Sequence, residues 1–289
     1  MAMRVAVIGE GGQAEAHVAW YRQAGLEVLP VAPAASADLA EADLYHLCGD
    51  LGERAAVVGA VLRRRRVALL LSGAVVARAA DAERLARAVV RRRGRAALVG
   101  GWRFVPAFAR LRELVSGGIL GAIRSVRLEV RVPVDELAAT RPAALDLGWW
   151  LAGDGAAEAQ SSGPANTCFQ AGTAVVDVTV CTGAPGGTAQ WSVALVAELG
   201  EAVGSASFVA SWPGRPGGPQ SLQVTLGGRT RPLAVPAADP CGGELGAVLA
   251  REAAGLPWLA VCGAERLARL AALGGAADVK VHGELSGPG

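Results

Sequence analysis

Lysine is nearly absent. The chain has 289 residues and 28 basic side chains, and Lys280 is the one lysine among them. No lysine amine can therefore serve as an acid, a base or a Schiff-base former upstream of Lys280. Histidine is scarce as well, with three in the whole chain, and aromatic residues make up only 4%. The five cysteines, Cys48, Cys168, Cys181, Cys241 and Cys262, show no C-x-x-C spacing. That spacing excludes a recognisable zinc motif or disulfide frame, so reduced thiols and no metal site are expected. A net charge of +2 excludes a dedicated binder of nucleic acid or of membrane surfaces. No apolar run reaches the ~20 residues needed to span a bilayer. A strand begins within a few residues of Met1, which leaves no room for a signal peptide, and the expected setting is the cytoplasm.

What the chain does have is glycine, 39 residues of it, and its placement is informative. The apolar run Arg4 to Ile8 leads into Gly9-Glu10-Gly11-Gly12-Gln13-Ala14, and a helical segment follows through His17, Trp20 and Tyr21. This is the G-x-G-x-x-[G/A] arrangement, with Gly9, Gly11 and Ala14 in the three places. Gly9 takes the tight turn, Gly11 lets backbone approach a diphosphate, and Ala14 lets helix and strand pack closely. The amides of Gly12 and Gln13 lie at the helix start, where N–H groups face an anion. The motif predicts a Rossmann-type start because it sits at the first strand-to-helix junction.

Strand and helix then alternate. Strands are expected at 26–31, 43–48, 67–71 and 96–99, with helices at about 53–66 and 81–93. The arginine runs 63–66 and 91–93 close these helices and suit the negative end of the helix dipole. After Phe104 the texture changes. A helix is expected over 106–116, then Val126, Leu128, Val130 and Val132 alternate with charged residues as in a half-buried strand. Further strands are expected at 169–180, 189–198, 205–212 and 221–226, and helices at 243–254 and 264–273. The predicted architecture is α/β plus α+β. Residues 1–100 form a doubly wound parallel sheet, and residues 101–289 form an α+β domain with a large, mostly antiparallel open sheet.

Three segments carry a family resemblance. Gly101-Trp102-Arg103-Phe104-Val105-Pro106 is similar to the segment that ends the first domain in the Gfo/Idh/MocA oxidoreductases. Ser116 to Ile123 resembles their turn before the large sheet, and Asp146 to Asp154 resembles their D-x-x-x-W-L-x-G helix end. The resemblance implies NAD or NADP at the glycine turn, a sugar or related small metabolite as substrate, and self-association through the open sheet. It also implies a lysine in an E-K-P motif and an Asp-x-x-x-His pair, and both are missing. Leu70-Leu71-Ser72 stands in place of the first, and Ala139 and Ala143 in place of the second. An acid for the ribose hydroxyls is also missing after the second strand, where Ser36 is the one polar candidate. The stretch from Ala32 to Asp43 is too short for the extra helix and strand found there in the family.

The remaining candidates are few. Cys48 and Asp50 follow the third strand at its ligand-facing end and could take part in catalysis, although a small buried thiol before a turn is the favoured reading of Cys48. His46 is expected to be a hydrogen-bonded core residue. His17 either matches a family histidine near the cofactor or serves simply on the helix surface. Arg103 suits an anionic or carbonyl group or a structural salt bridge, and Asp146 a pocket acid or a helix cap. Arg141 is a further candidate for binding an acid group. Three functions follow. The first is a divergent NAD(P)-linked oxidoreductase without its usual catalytic groups. The others are a non-redox enzyme for cyclisation, isomerisation or elimination, and a non-catalytic binding or scaffold partner.

Overall fold

The computed structural model describes residues 3–10, 12–32, 41–48, 57, 59–61, 63, 68–72, 87, 91, 95–99, 101–134, 137–153, 157–162, 165–183, 188–208, 220–237 and 240–253. Two sheets organise them.

The first is a five-stranded sheet in the order β2-β1-β3-β4-β5. Its strands are β1 (Arg4–Ile8), β2 (Glu27–Ala32), β3 (Leu44–Cys48), β4 (Ala68–Ser72) and β5 (Arg95–Leu98), and all neighbours run parallel. Parallel strands need covering on both faces, which explains their continuous apolar sequence. Val5, Val7, Leu44 and Leu70 face one side and join one apolar cluster. Ala6, Ile8, Leu47 and Leu71 face the other and join the main core. Helix α1 (Gly12–Gln23) covers the first of these faces through Ala14, Val18 and Tyr21. Among the described residues no strand lies outside β2, and most of the short stretch after Ala32 lies outside the described residues.

Helix α2 (Pro106–Ser116) begins with proline, whose fixed φ suits the first turn. Its Phe108, Leu111 and Leu114 are spaced to share one buried face. An eight-stranded sheet follows, in the order β13-β12-β11-β10-β6-β9-β8-β7. These strands are β6 (Ile123–Val132), β7 (Ala157–Ser162), β8 (Asn166–Ala171), β9 (Ala174–Thr182), β10 (Ala189–Ala197), β11 (Gly200–Phe208), β12 (Ser221–Leu226) and β13 (Arg229–Pro232). Neighbours are antiparallel except β6 and β9, which run parallel. Val126, Leu128, Val130 and Val132 turn inward beneath α2 and helix α3 (Leu137–Leu151). The opposite face carries polar and small residues and exposes Val175, Val196 and Val203. Helix α4 (Pro240–Ala253) returns to the first sheet, where Leu245 and Val248 join the cluster beside α1. No helix among the described residues is long and apolar enough to cross a membrane.

The segment expected as one strand over 169–180 is two. β8 and β9 form a hairpin about Gly172-Thr173, with Gly172 at φ 59°. A lone glycine in apolar alternation hid a two-residue turn. β13 follows β12 across Gly227-Gly228 and escaped the sequence reading because its residues are exposed. The helix expected over 264–273 lies outside the described residues, and only scattered positions of those over 53–66 and 81–93 are described.

Helix α3 approaches the sheet closely at Gly148. A Cβ there would lie 2.9 Å from Val176 Cγ1 and 3.3 Å from Val178 Cγ2. Overpacking of this kind costs about 1–3 kcal/mol. Gly148→Val is expected to lower the urea midpoint accordingly without changing the slope, and an unchanged midpoint would show that the helix can move away.

Candidate functional site

In an open parallel sheet the ligand crevice lies beyond the carboxyl ends of the strands. Here those ends bring up Gly9 after β1, Cys48 at the end of β3 and Ser72 at the end of β4. Gly9 is buried and has φ 148°, a conformation that side chains disfavour. It delivers the chain directly into α1, whose Ala14 is 2% exposed against the sheet. Gly9 and Ala14 therefore have the conformation and the close packing that a phosphate cradle needs at these two places. The backbones of Gly12 and Gln13 open the helix, as the motif predicts. Gly11, Ser36 and Asp50 lie outside the described residues.

A hydrogen-bonded chain lies behind the crevice, on the sheet face covered by α1. Tyr21 Oη is 2.8 Å from His46 Nδ1, and His46 Nε2 is 3.0 Å from Ser72 Oγ. The Ser72 hydroxyl donates toward Cys48 Sγ at 3.4 Å. The His17 ring lies against the His46 ring, with centroids 4.1 Å apart. All five side chains are buried. One assignment of protons satisfies the chain from end to end. Tyr21 donates to Nδ1, Nε2–H donates to Ser72, and Ser72 donates to the thiol. Burial holds the His17 imidazole neutral and lowers its pKa to about 3. Burial, and then the neighbouring His17, also push His46 well below its usual range. His46 is thus the hydrogen-bonded core residue that its apolar strand predicts. Cys48 is packed inside rather than presented to the crevice.

The second group sits where the two sheets meet. Arg103, in a one-turn 3-10 helix at Trp102–Phe104, donates from Nε to Asp146 Oδ2 at 2.9 Å and from Nη2 to Oδ1 at 2.7 Å. The two side chains are 9% and 10% exposed. The guanidinium also lies 5.5 Å from the ring centre of Trp150. Of the alternatives open in sequence, the geometry is that of the salt bridge. Trp149 is buried, and Trp150 is the half-buried member of the pair. Arg141 donates to Thr167 at 2.6 Å, and burial lowers the pKa of its guanidinium. Ala143 lies partly buried on the same helix, α3. Leu70 and Leu71 are fully buried in β4, so neither position offers a proton carrier.

Two features escaped the sequence reading. The buried chain has a local signal, since His17 and Tyr21 are four apart on a helix, and His46 and Cys48 two apart on a strand. The stack of Trp102 on Trp191, with ring centres 3.7 Å apart, joins residues too distant in sequence to be paired by pattern.

The shape places the chain among known proteins. No protein-family model and no curated protein matches the sequence. Solved structures do match at low identity. A candidate NADPH-dependent oxidoreductase from Desulfitobacterium hafniense is 14% identical, with a TM-score of 0.77 over 96% of this chain and 94% of that one. An Agrobacterium radiobacter oxidoreductase in complex with NAD+, L-tartaric acid and magnesium is 13% identical, with a TM-score of 0.70 over 96% and 97%. The UDP-N-acetylglucosamine 3-dehydrogenase of Acidithiobacillus ferrooxidans is 19% identical, with a TM-score of 0.70 over 94% and 95%. The chain has their fold. That is the fold the Gfo/Idh/MocA resemblance implied, across both sheets.

The neutral histidines set a pH dependence. The unfolded chain protonates both imidazoles near pH 6.5, whereas the folded chain does so only at much lower pH. Below pH 6.5 the unfolded state therefore binds more protons, and stability falls with falling pH. His17 is expected to cost about 2 kcal/mol between pH 7 and pH 5, and His46 acts in the same direction. Urea denaturation at the two values checks this, and equal stability at both would show that the histidines are protonated in the fold.

Proposed function

We propose that the protein is a divergent nicotinamide-dependent oxidoreductase acting on a small polyhydroxylated or sugar-like metabolite. The observation that carries the reading is the Gly9 turn. It keeps a glycine-only conformation at the head of a parallel sheet, inside a fold that the neighbours share over both domains.

The cradle fits a dinucleotide at its diphosphate. Backbone N–H groups at the start of α1 would hold the phosphates, and Ala14 keeps the helix close enough for them to do so. When bound, the nicotinamide supplies or accepts hydride. The chain's own contribution is positioning, because the groups at the described strand ends are Gly9, Cys48 and Ser72, and none is a charged acid or base. Such a site relies on proximity and exclusion of water more than on proton transfer. The sugar-nucleotide dehydrogenase among the neighbours supports a hydroxyl-bearing substrate. The open sheet face, with Val175, Val196 and Val203 exposed, supports a homo-oligomer.

A second reading is favoured by one observation. Arg103 and Asp146 close on each other with two hydrogen bonds, which removes both from chemistry and suits a binding protein or a non-redox enzyme on the same scaffold. Titration with NADH and with NADPH, followed by tryptophan quenching, separates the readings. Saturable binding of one of them at micromolar to millimolar concentration is expected. Absence of binding by both at millimolar concentration would refute the oxidoreductase reading.

A further inference from the structure

The buried chain behind the crevice has a second meaning. One ligating atom from each of His17, His46 and Cys48 comes together with all three within 4.8 Å of one another. Ser72 Oγ stands 3.0 Å from His46 Nε2 and 3.4 Å from Cys48 Sγ. A tetrahedral metal held at about 2.0 Å by nitrogen and oxygen, and about 2.3 Å by sulfur, has its ligand atoms about 3.3–3.5 Å apart. The serine-to-imidazole and serine-to-thiol separations are close to two edges of that figure. The His17, His46 and Cys48 atoms lie within 4.8 Å of one another and close toward that figure by side-chain rotation, with His46 and Cys48 on one face of the sheet and His17 on the helix that covers it.

From these four residues the geometry points to a closed structural site for a zinc-like divalent cation, with His17, His46, Cys48 and Ser72 at its corners. Two imidazoles and a thiolate form a donor set that selects zinc over magnesium or calcium. The surroundings suit it, since Val5, Val7 and Leu70 line the same apolar cluster and keep the space dry. Neutral imidazole is the ligating form, and burial keeps both rings in it. Tyr21 completes the arrangement. With His46 bound through Nε2, its Nδ1–H donates to Tyr21 Oη at the distance already present, and this fixes tautomer and ring orientation. Uptake of the cation releases the Cys48 thiol proton to solvent, moves the His46 proton from Nε2 to Nδ1, and breaks the hydrogen bonds from Nε2 to Ser72 and from Ser72 to sulfur. The metal would tie α1 to β3 and β4 directly beneath the glycine turn. The inference is independent of whether a nucleotide binds there.

The test uses the whole protein, stripped with chelator and dialysed. Zinc(II) is expected to bind at about one equivalent per chain and to raise the melting temperature. Cobalt(II) in its place is expected to give thiolate-to-metal charge-transfer absorption together with the intense visible bands of a tetrahedral ion. His17→Gln and Cys48→Ala are expected to weaken binding at least tenfold, and Cys48→Ala to abolish the charge-transfer band. If either variant fails to fold, the cobalt spectrum of the wild-type protein decides alone. Folded wild-type protein that takes up neither ion at 100-fold excess would overturn the site. So would a cobalt spectrum without thiolate absorption, or folded variants with undiminished affinity.

Discussion

The ion pair between Arg103 and Asp146 is the constraint on which the rest of the site depends. Two charges that are about nine-tenths buried stand at the junction of the sheets, and Arg103 donates two hydrogen bonds to the Asp146 carboxylate. Breaking such a pair leaves an uncompensated buried charge, at a cost of about 3–5 kcal/mol. A ligand that recruits Arg103 must offset that loss. The pair therefore acts first on architecture. It fixes the 3-10 turn against α3, and with it the Trp102 ring that stacks on Trp191 of β10. The junction of the two sheets is built around a closed electrostatic contact.

The same economy governs the first sheet. Polar side chains behind the strand ends are bonded to one another rather than directed into the crevice. Tyr21, His46, Ser72 and Cys48 form one chain, and burial keeps its imidazole neutral. A fold shared with solved oxidoreductases here keeps Gly9 at a positive φ after the first strand, while Leu70 and Leu71, where the family resemblance implies a proton carrier, are wholly inside. The two features are separate, because the first depends on backbone conformation and the second on side-chain identity.

Much of the fold was legible in the sequence because it rests on local physics. The glycine turn is fixed by conformational freedom at Gly9, and the parallel strands by apolar runs. The central strand β6 of the large sheet is fixed by its alternation of valines with charged residues. Misses arose where one residue carried the signal. Gly172 made a hairpin inside what looked like a single strand, and β13 has no buried face to give it a period. The site was less legible. Arg103 and Asp146 are 43 residues apart, and His46 and Ser72 are 26 apart. Nothing in a single sequence pairs them. Their residue types suggested chemistry, and only the packing shows that they satisfy each other.

A double-mutant cycle on Arg103→Met and Asp146→Leu, read by urea denaturation, tests most directly the claim that these groups serve each other rather than a ligand. Each single change should be strongly destabilising, and the pair should recover much of the loss, with a coupling energy of about 2–3 kcal/mol. A coupling energy within about 0.5 kcal/mol of zero would contradict the account. It would return both residues to service as free charged groups in the crevice.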